Sequence, residues 1–359
     1  MDDCIVLDPQ SGFFPRALSV IARKQRIPYK GQFELTARCN FNCRLCYIHM
    51  SDSRIKELGH ELTTDEWLRI AEEAKEQGML FLTLTGGEVF TRPDFRELYE
   101  KLSEMGFLIQ IMTNASLIDE KVMSWLSKKP PYIIRITLYG SNNDVYESVC
   151  RIKNGFDRVD RAIDLLQNAN IPISLKSTLI RNNEDDIYNM HRYAAGKNLR
   201  LDSTYGIVKS VRGAVSDAEY VRRLQDGPLP DALPQIQKLK TQDGHGPYRH
   251  HPNYLDDCGS YGSTMYATWD GKLVLCGFMA EPFCDLRSMS VKEAWTSLLE
   301  KSASVKKPEE CNSCKYEEYC MRCPGSLAGE SGSYLKVSPE YCNQAKYLYS
   351  LYEHEEGGV

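Results

Sequence analysis

The stretch CNFNCRLCY, residues 39–47, places Cys39, Cys43 and Cys46 in a C-x3-C-x2-C spacing. Clustered thiols in a chain that carries no secretion signal point to metal binding or redox chemistry rather than to disulfides. Structural zinc takes four protein ligands as a rule, and His49 is the only local candidate for a fourth. Iron-sulfur clusters are the other home for clustered thiolates. A cubane held by three cysteines leaves one iron without a protein ligand, an open position at which a small molecule can chelate.

The chain has 13 cysteines, and a second group of seven lies at Cys258, Cys276, Cys311, Cys314, Cys320, Cys323 and Cys342. The paired CxxC units in CNSCKYEEYCMRC would by themselves read as a zinc ribbon, but seven cysteines do not make one zinc site. Cys4, Cys150 and Cys284 are left over, each a buried inert thiol by default, or else a ligand or a hydrogen-atom donor. His245, His250 and His251 read as part of a polar linker.

These residues need elements to hold them, and 359 residues with 42% hydrophobic composition suffice for one large or two ordinary domains. The net charge of -5 gives no basic excess for a phosphate backbone, so nucleic acid is not expected as a partner. The N-terminus, MDDCIVLDPQ, is acidic where a signal peptide is basic, and no apolar run approaches the ~18 residues of a membrane span. The expectation is a cytoplasmic protein without membrane association.

Six apolar, β-rich runs alternate with helical patterns: 32–37, 80–85, 107–113, 132–138, 171–177 and 201–208. Between the first two, Thr63 and Glu66 form a capping-box pattern ahead of Trp67, Ile70, Ala71 and Ala74, with Gly78 as the stop. RPDFRELYEKLSEMG, GFDRVDRAIDLL and EDDIYNMHRYAAG predict three more helices. Such alternation implies an α/β fold with a parallel sheet, either doubly wound or a barrel, whose chemistry gathers at the C-terminal strand ends. The division expected is an N-terminal extension over 1–30, the α/β unit over 31–212, a Pro- and Gly-rich linker over 213–255, and a cysteine-rich region over 256–359 with helices in SVKEAWTSLLEKS and in the tail.

C-x3-C-x2-C after the first strand of a βα series resembles the radical S-adenosylmethionine (radical SAM) enzymes. The resemblance implies a partial (β/α)6 TIM-like barrel, with Cys39, Cys43 and Cys46 as ligands of a 4Fe-4S cluster whose open iron is chelated by SAM. The sequence departs from the family in having Leu45 where an aromatic precedes the last cysteine, with Tyr47 just after it. TGGE (85–88) resembles the family's glycine-rich segment, which gives Gly86, Gly87 and Glu88 the methionine amino group. TNAS (113–116) resembles the TNG segment without its glycine, which puts Asn114 near the ribose. By resemblance to related maturases, Thr137 and Arg151 reach the ribose or carboxylate, a geometry that the planar fork of arginine suits.

The second group resembles the SPASM extension of these enzymes, with one residue fewer before Cys323. The family's crossed connectivity implies one auxiliary 4Fe-4S cluster on Cys311, Cys314, Cys320 and Cys342 and another on Cys258, Cys276 and Cys323. The second is then one thiolate short: either Cys284 completes it or an iron stays open. Three 4Fe-4S clusters and SAM are the cofactors implied, with a flavodoxin- or ferredoxin-type electron donor.

Family members with this extension mostly modify peptides, so the resemblance implies a peptide substrate and crosslinking, thioether formation or oxidation in the maturation of ribosomally made peptides or proteins. The alternative is an epimerase or dehydrogenase acting on a peptide or a small sugar-like or alcohol substrate, with Cys150 or Cys284 as hydrogen donor. A non-enzymatic zinc scaffold is the third reading. The 38 residues before Cys39 are too few for a leader-binding module, so leader recognition needs a separate protein or is absent. The sulfatase-maturing branch has an aspartate where Gly277 stands, which disfavours formylglycine formation.

Overall fold

The computed structural model describes residues 13–204, 207–214 and 254–353. Cys4, the three histidines at 245, 250 and 251 and most of the expected linker lie outside the described residues.

All six expected strands are present: β1 Lys30–Glu34, β2 Phe81–Thr85, β3 Leu108–Thr113, β4 Ile133–Thr137, β5 Ile173–Thr178 and β6 Leu201–Thr204. Each pairs in parallel with its successor, from Lys30 opposite Phe81 to Leu175 opposite Leu201. The sixth strand ends at Thr204 rather than at 208. The helices between strands cover the sheet, as a parallel sheet requires.

The helix Thr64–Glu76 begins on the anticipated capping box: Thr63 accepts from the Glu66 N–H, and the Glu66 carboxylate accepts from the Thr63 N–H at 2.7 Å. Its buried face, Trp67, Ile70, Ala71 and Ala74, meets β1, where Phe33 stacks on Trp67 at 4.9 Å between ring centroids. Phe95–Glu104, Gly155–Asn168 and Ile187–Gly196 are likewise helical.

The sheet does not stop at β1. β7 Thr264–Ala267 pairs with β1 in parallel, and β8 Lys272–Val274 and β9 Phe283–Asp285 follow antiparallel, giving nine strands in the order β6-β5-β4-β3-β2-β1-β7-β8-β9. Part of the cysteine-rich region is thereby built onto the barrel's own sheet, and the helix Val291–Ser302 packs against β8, β9 and the helix Thr64–Glu76. Tail residues Pro339–Glu353 are helical as expected. Among the described residues no helix is long and apolar enough to cross a membrane.

Candidate functional site

The chain leaving β1 and the chain leaving β2 run side by side. Gly87 donates its N–H to the Thr36 carbonyl and Glu88 to the Arg38 carbonyl, both at 2.8 Å. The contact is so close that only glycine fits: a Cβ on Gly86 would lie 2.5 Å from the Thr36 oxygen, and one on Gly87 2.2 Å from that of Arg38. The two glycines thus clamp the base of the loop that opens at Cys39.

That loop is fixed from β3 as well. Asn114 donates to the Asn40 side chain at 2.9 Å and to Cys39 Sγ at 3.7 Å, while its own oxygen takes the Ser116 N–H at 2.9 Å. Ala115, at the expected glycine position, is fully buried with φ of 62°, so the backbone keeps a glycine-type conformation without the glycine.

The result is a cavity of about 350 Å³ at the C-terminal ends of the strands. Cys39, Cys43, Cys46, Gly86, Gly87, Asn114 and Thr137 all line it, with Leu45, Tyr47, Tyr139 and Phe278. Thr85, Thr113, Thr178 and Thr204, each the last residue of its strand, complete a polar rim. The four threonines were not singled out from sequence, although the strand-end rule applied to each run would have found them. No Asp, Glu, Lys, Arg or His is among the described lining residues.

Two expected SAM contacts stand elsewhere. Glu88 is fully buried in the wall, where its carboxylate accepts from the Thr113 hydroxyl at 2.8 Å, the Asn114 N–H at 2.7 Å and the Phe90 N–H at 3.1 Å. Arg151 is exposed in a left-handed conformation at the end of the helix Asn143–Cys150 and is not in the lining, although its charge pulls the Cys43 thiol pKa down.

Burial pushes the Glu88 carboxyl up to about 7, against the opposing pull of those three donors. Its folded pKa lies above the unfolded value, so the folded state holds the proton more tightly. The stability gained is fully present below the unfolded pKa of 4.5 and is lost as pH rises through about 7. The unfolding free energy of the cluster-free protein, from urea titrations, should therefore fall between pH 5 and 8 by on the order of 3 kcal/mol more than that of Glu88→Gln. Equal slopes would contradict this.

Burial also pushes the thiol of Cys46 up to about 11 and that of Cys39 higher, the Glu88 charge adding to the latter. Cys43 is raised first by a hydrogen bond with the Cys150 thiol and then by burial. Three buried thiols with raised pKa values become thiolates when a cation takes the protons' place, so the donor set suits a metal centre. His49 offers Cys46 Sγ its backbone N–H, not its ring, and among the described residues no three His, Cys, Asp or Glu side chains converge as ligands of one ion. A single zinc ion finds no fourth ligand here. In an iron-sulfur cluster each cysteine takes a separate iron, so the trio fits that group. Cys150 touches Cys43 from behind, fully buried and outside the lining.

The remaining cysteines fall into two groups. Cys311, raised to about 11 by burial first, also feels Cys320, Cys342 and Cys314. Cys276, raised to about 12 by burial, feels Cys323 and Cys258. Tyr254 lies between the groups, its hydroxyl pushed upward by burial and then by the charges of Cys323, Cys311 and Cys320. Cys284 joins neither: it is buried on β9 with its Sγ 3.5 Å from the Lys301 ammonium.

The family model of the radical SAM superfamily matches residues 33–194. An AdoMet-dependent heme synthase of Methanosarcina barkeri is 24% identical over 86% of this chain and 95% of its own length. A PqqA peptide cyclase of Granulibacter bethesdensis is 30% identical over 44% of this chain, though that match spans only 41% of the cyclase. In fold, the crystal structure of Streptococcus suis SuiB bound to precursor peptide SuiA is similar, with a TM-score of 0.62 at 16% identity, over 95% of this chain and 82% of that one. The strand order, the cysteine loop closed by two glycines and the matched family model together show a radical SAM domain over residues 33–194 of this chain.

Proposed function

We propose that this chain cleaves S-adenosylmethionine to a 5′-deoxyadenosyl radical and uses it to take a hydrogen atom from a peptide, which becomes crosslinked, thioether-bridged or oxidised during the maturation of a ribosomally made product. The observation that carries this is the single cavity whose lining joins three cysteines, two glycines, Asn114 and Thr137.

Cys39, Cys43 and Cys46 would hold a 4Fe-4S cluster, which would supply the electron for the cleavage. The protein's part is to place and to exclude. Gly86 and Gly87 bring backbone against the loop, Asn114 fixes its first cysteine, and Thr137 offers a hydroxyl from the end of β4. Glu88 acts from the wall, holding the Asn114 backbone rather than reaching into the cavity. Apolar Leu45, Ile48, Met112, Ile207 and Val208 limit water at the reacting centre.

Two auxiliary clusters, on Cys311, Cys314, Cys320 and Cys342 and on Cys258, Cys276 and Cys323, would carry away the electron left after hydrogen abstraction. An external flavodoxin- or ferredoxin-type donor would supply the first electron, and a separate protein would bind any leader. Cys284 lies against Lys301, so in this reading Cys258, Cys276 and Cys323 alone would hold the second auxiliary cluster. Cys284→Ser should accordingly leave bound iron unchanged, whereas Cys276→Ser lowers it; iron loss in both would restore Cys284 as a ligand.

The described lining residues carry no charged side chain, which favours a neutral side chain as the group attacked. A haem or related porphyrin would bring carboxylates and seek an imidazole or a cation, and the described lining offers none. The epimerase reading loses its proposed donors, since neither Cys150 nor Cys284 lines the cavity. The test is anaerobic incubation with SAM, dithionite and a short precursor peptide encoded beside this gene, followed by mass spectrometry. Loss of two hydrogens from the peptide together with 5′-deoxyadenosine is expected. An unchanged peptide alongside conversion of a porphyrin would overturn the reading.

A further inference from the structure

Five strands bring inward residues to the cavity at their C-terminal ends: Thr85, Met112, Thr137, Thr178 and Thr204 all line it. Two residues back along a strand the side chain returns to the same face, so Thr83, Gln110, Arg135, Lys176 and Asp202 form the next tier inside the barrel. The opposite face of the sheet is closed, with Leu84, Ile134 and Leu175 fully buried in the main core. This tier is different: all five residues are only half-buried, although they stand within the sheet. A closed barrel fills its interior with layers of branched apolar side chains, whereas this one keeps a polar tier that solvent reaches.

Among the described residues of these two tiers, every charged side chain but one is answered within the chain. Glu34, the register partner of Thr85, meets Arg212 Nη2 at 2.5 Å. Lys176 pairs with Asp202, which also takes Arg200 Nε at 2.9 Å. Arg135 is the exception. Its Nε donates to the Gln110 amide oxygen at 3.0 Å, and among the described residues it meets no carboxylate. That single bond holds one edge of the guanidinium and leaves both Nη groups for a ligand.

The place borders the cavity directly. Register pairs Arg135 with Met112 and Lys176 with Thr137, and both partners are cavity-lining. Arg135, Lys176 and Arg200 share the one carboxylate of Asp202, a local cationic excess in a chain whose net charge is -5. A planar guanidinium fork suits the two oxygens of a carboxylate.

We propose that Arg135 is a specificity residue that binds a carboxylate of the peptide substrate, and by that contact sets which neutral side chain reaches the cavity. The proposal rests on the peptide reading above. Two residues of parallel strand separate Arg135 from the tier of Thr137, about 6.6 Å, and an extended peptide covers that length in about two residues. The carboxylate therefore belongs about two positions from the residue attacked, as an Asp or Glu side chain or as the peptide's C-terminus.

The test uses the precursor peptide encoded beside the gene in three synthetic forms: unaltered, with Asp and Glu replaced by Asn and Gln, and with an amidated C-terminus. With the anaerobically reconstituted full chain, SAM and dithionite, the KM for the unaltered peptide should rise about 10- to 100-fold in Arg135→Gln, the loss of one hydrogen-bonded charge pair. Arg135→Lys should recover part of that loss. One altered peptide should show the same rise with wild-type enzyme and no further rise with Arg135→Gln, which identifies the source of the carboxylate. Should Arg135→Gln take up no iron, the wild-type enzyme with the three peptides still decides. Equal wild-type KM for all three forms, a wild-type KM in iron-loaded Arg135→Gln, or a rise of equal size in that variant for every form overturns the anchor alone. Wild-type enzyme that modifies no form of the peptide overturns the peptide reading itself, so the two failures are told apart.

Discussion

Alanine at Cys39, Cys43 and Cys46 together should take 5′-deoxyadenosine formation to the level of a protein-free blank and, with the three clusters proposed above, lower bound iron by about one third. The loss is complete because among the described residues no other donor stands where the trio does. Cys150 is outside the cavity lining and His49 turns only its backbone to Cys46. The measurement is anaerobic iron and sulfide analysis beside a chromatographic assay with SAM and dithionite. Residual 5′-deoxyadenosine above the blank would mean that the cleaving centre lies elsewhere.

Gly87→Ala should have the second largest effect. Its Cβ would lie 2.2 Å from the Arg38 carbonyl oxygen and 2.7 Å from the carbonyl carbon, and backbone on both sides leaves nothing flexible to yield. Separating the strands breaks the Gly87–Thr36 and Glu88–Arg38 hydrogen bonds, which are 2.8 Å long. The expected cost is about 2–4 kcal/mol of stability, from overpacking and two lost hydrogen bonds. Because Cys39 directly follows Arg38, the displacement reaches the cluster loop, and a shift of about 1 Å at a reacting centre can cost ~100-fold in rate. Gly259→Ala, where a Cβ would have nothing within 4 Å, is the control. Denaturation midpoints and 5′-deoxyadenosine rates for both variants check the contrast, and equal behaviour of the two would contradict the clamp.

What was legible in the sequence was local. The six parallel strands showed as apolar runs, and the Thr63–Glu66 box fixed its helix because both halves of the cap lie within four residues. Shorter helices escaped notice. Asp52–Leu58, Glu120–Leu126 and Asn143–Cys150 have seven or eight residues, too few for a periodic face, although Ser51, Asp119 and Asn142 each cap one by accepting the N–H three residues on. The hairpin of β7 and β8 carried a usable signal in Asp270–Gly271, with φ of 84° at the glycine, but the strands are only four and three residues long.

Placement at the site was legible only where spacing along the chain was enough. The trio, the two glycines, Asn114 and Thr137 lie at strand ends, so the fold rule delivers them to one cavity. Glu88 follows the same strand end, yet the side chain turns into the wall because its buried carboxylate is satisfied by donors from β3 and the loop after it. The pairing of β7 with β1 and the meeting of Glu34 with Arg212, 178 residues apart, depend on contacts that no local pattern encodes.

The central claim is that three thiolates hold a cluster with one iron open to SAM. Anaerobically reconstituted wild-type protein, reduced with dithionite and given SAM, should release methionine and 5′-deoxyadenosine in equal amounts, and the cluster-free protein should release neither. Cluster-loaded protein that leaves SAM intact would contradict it.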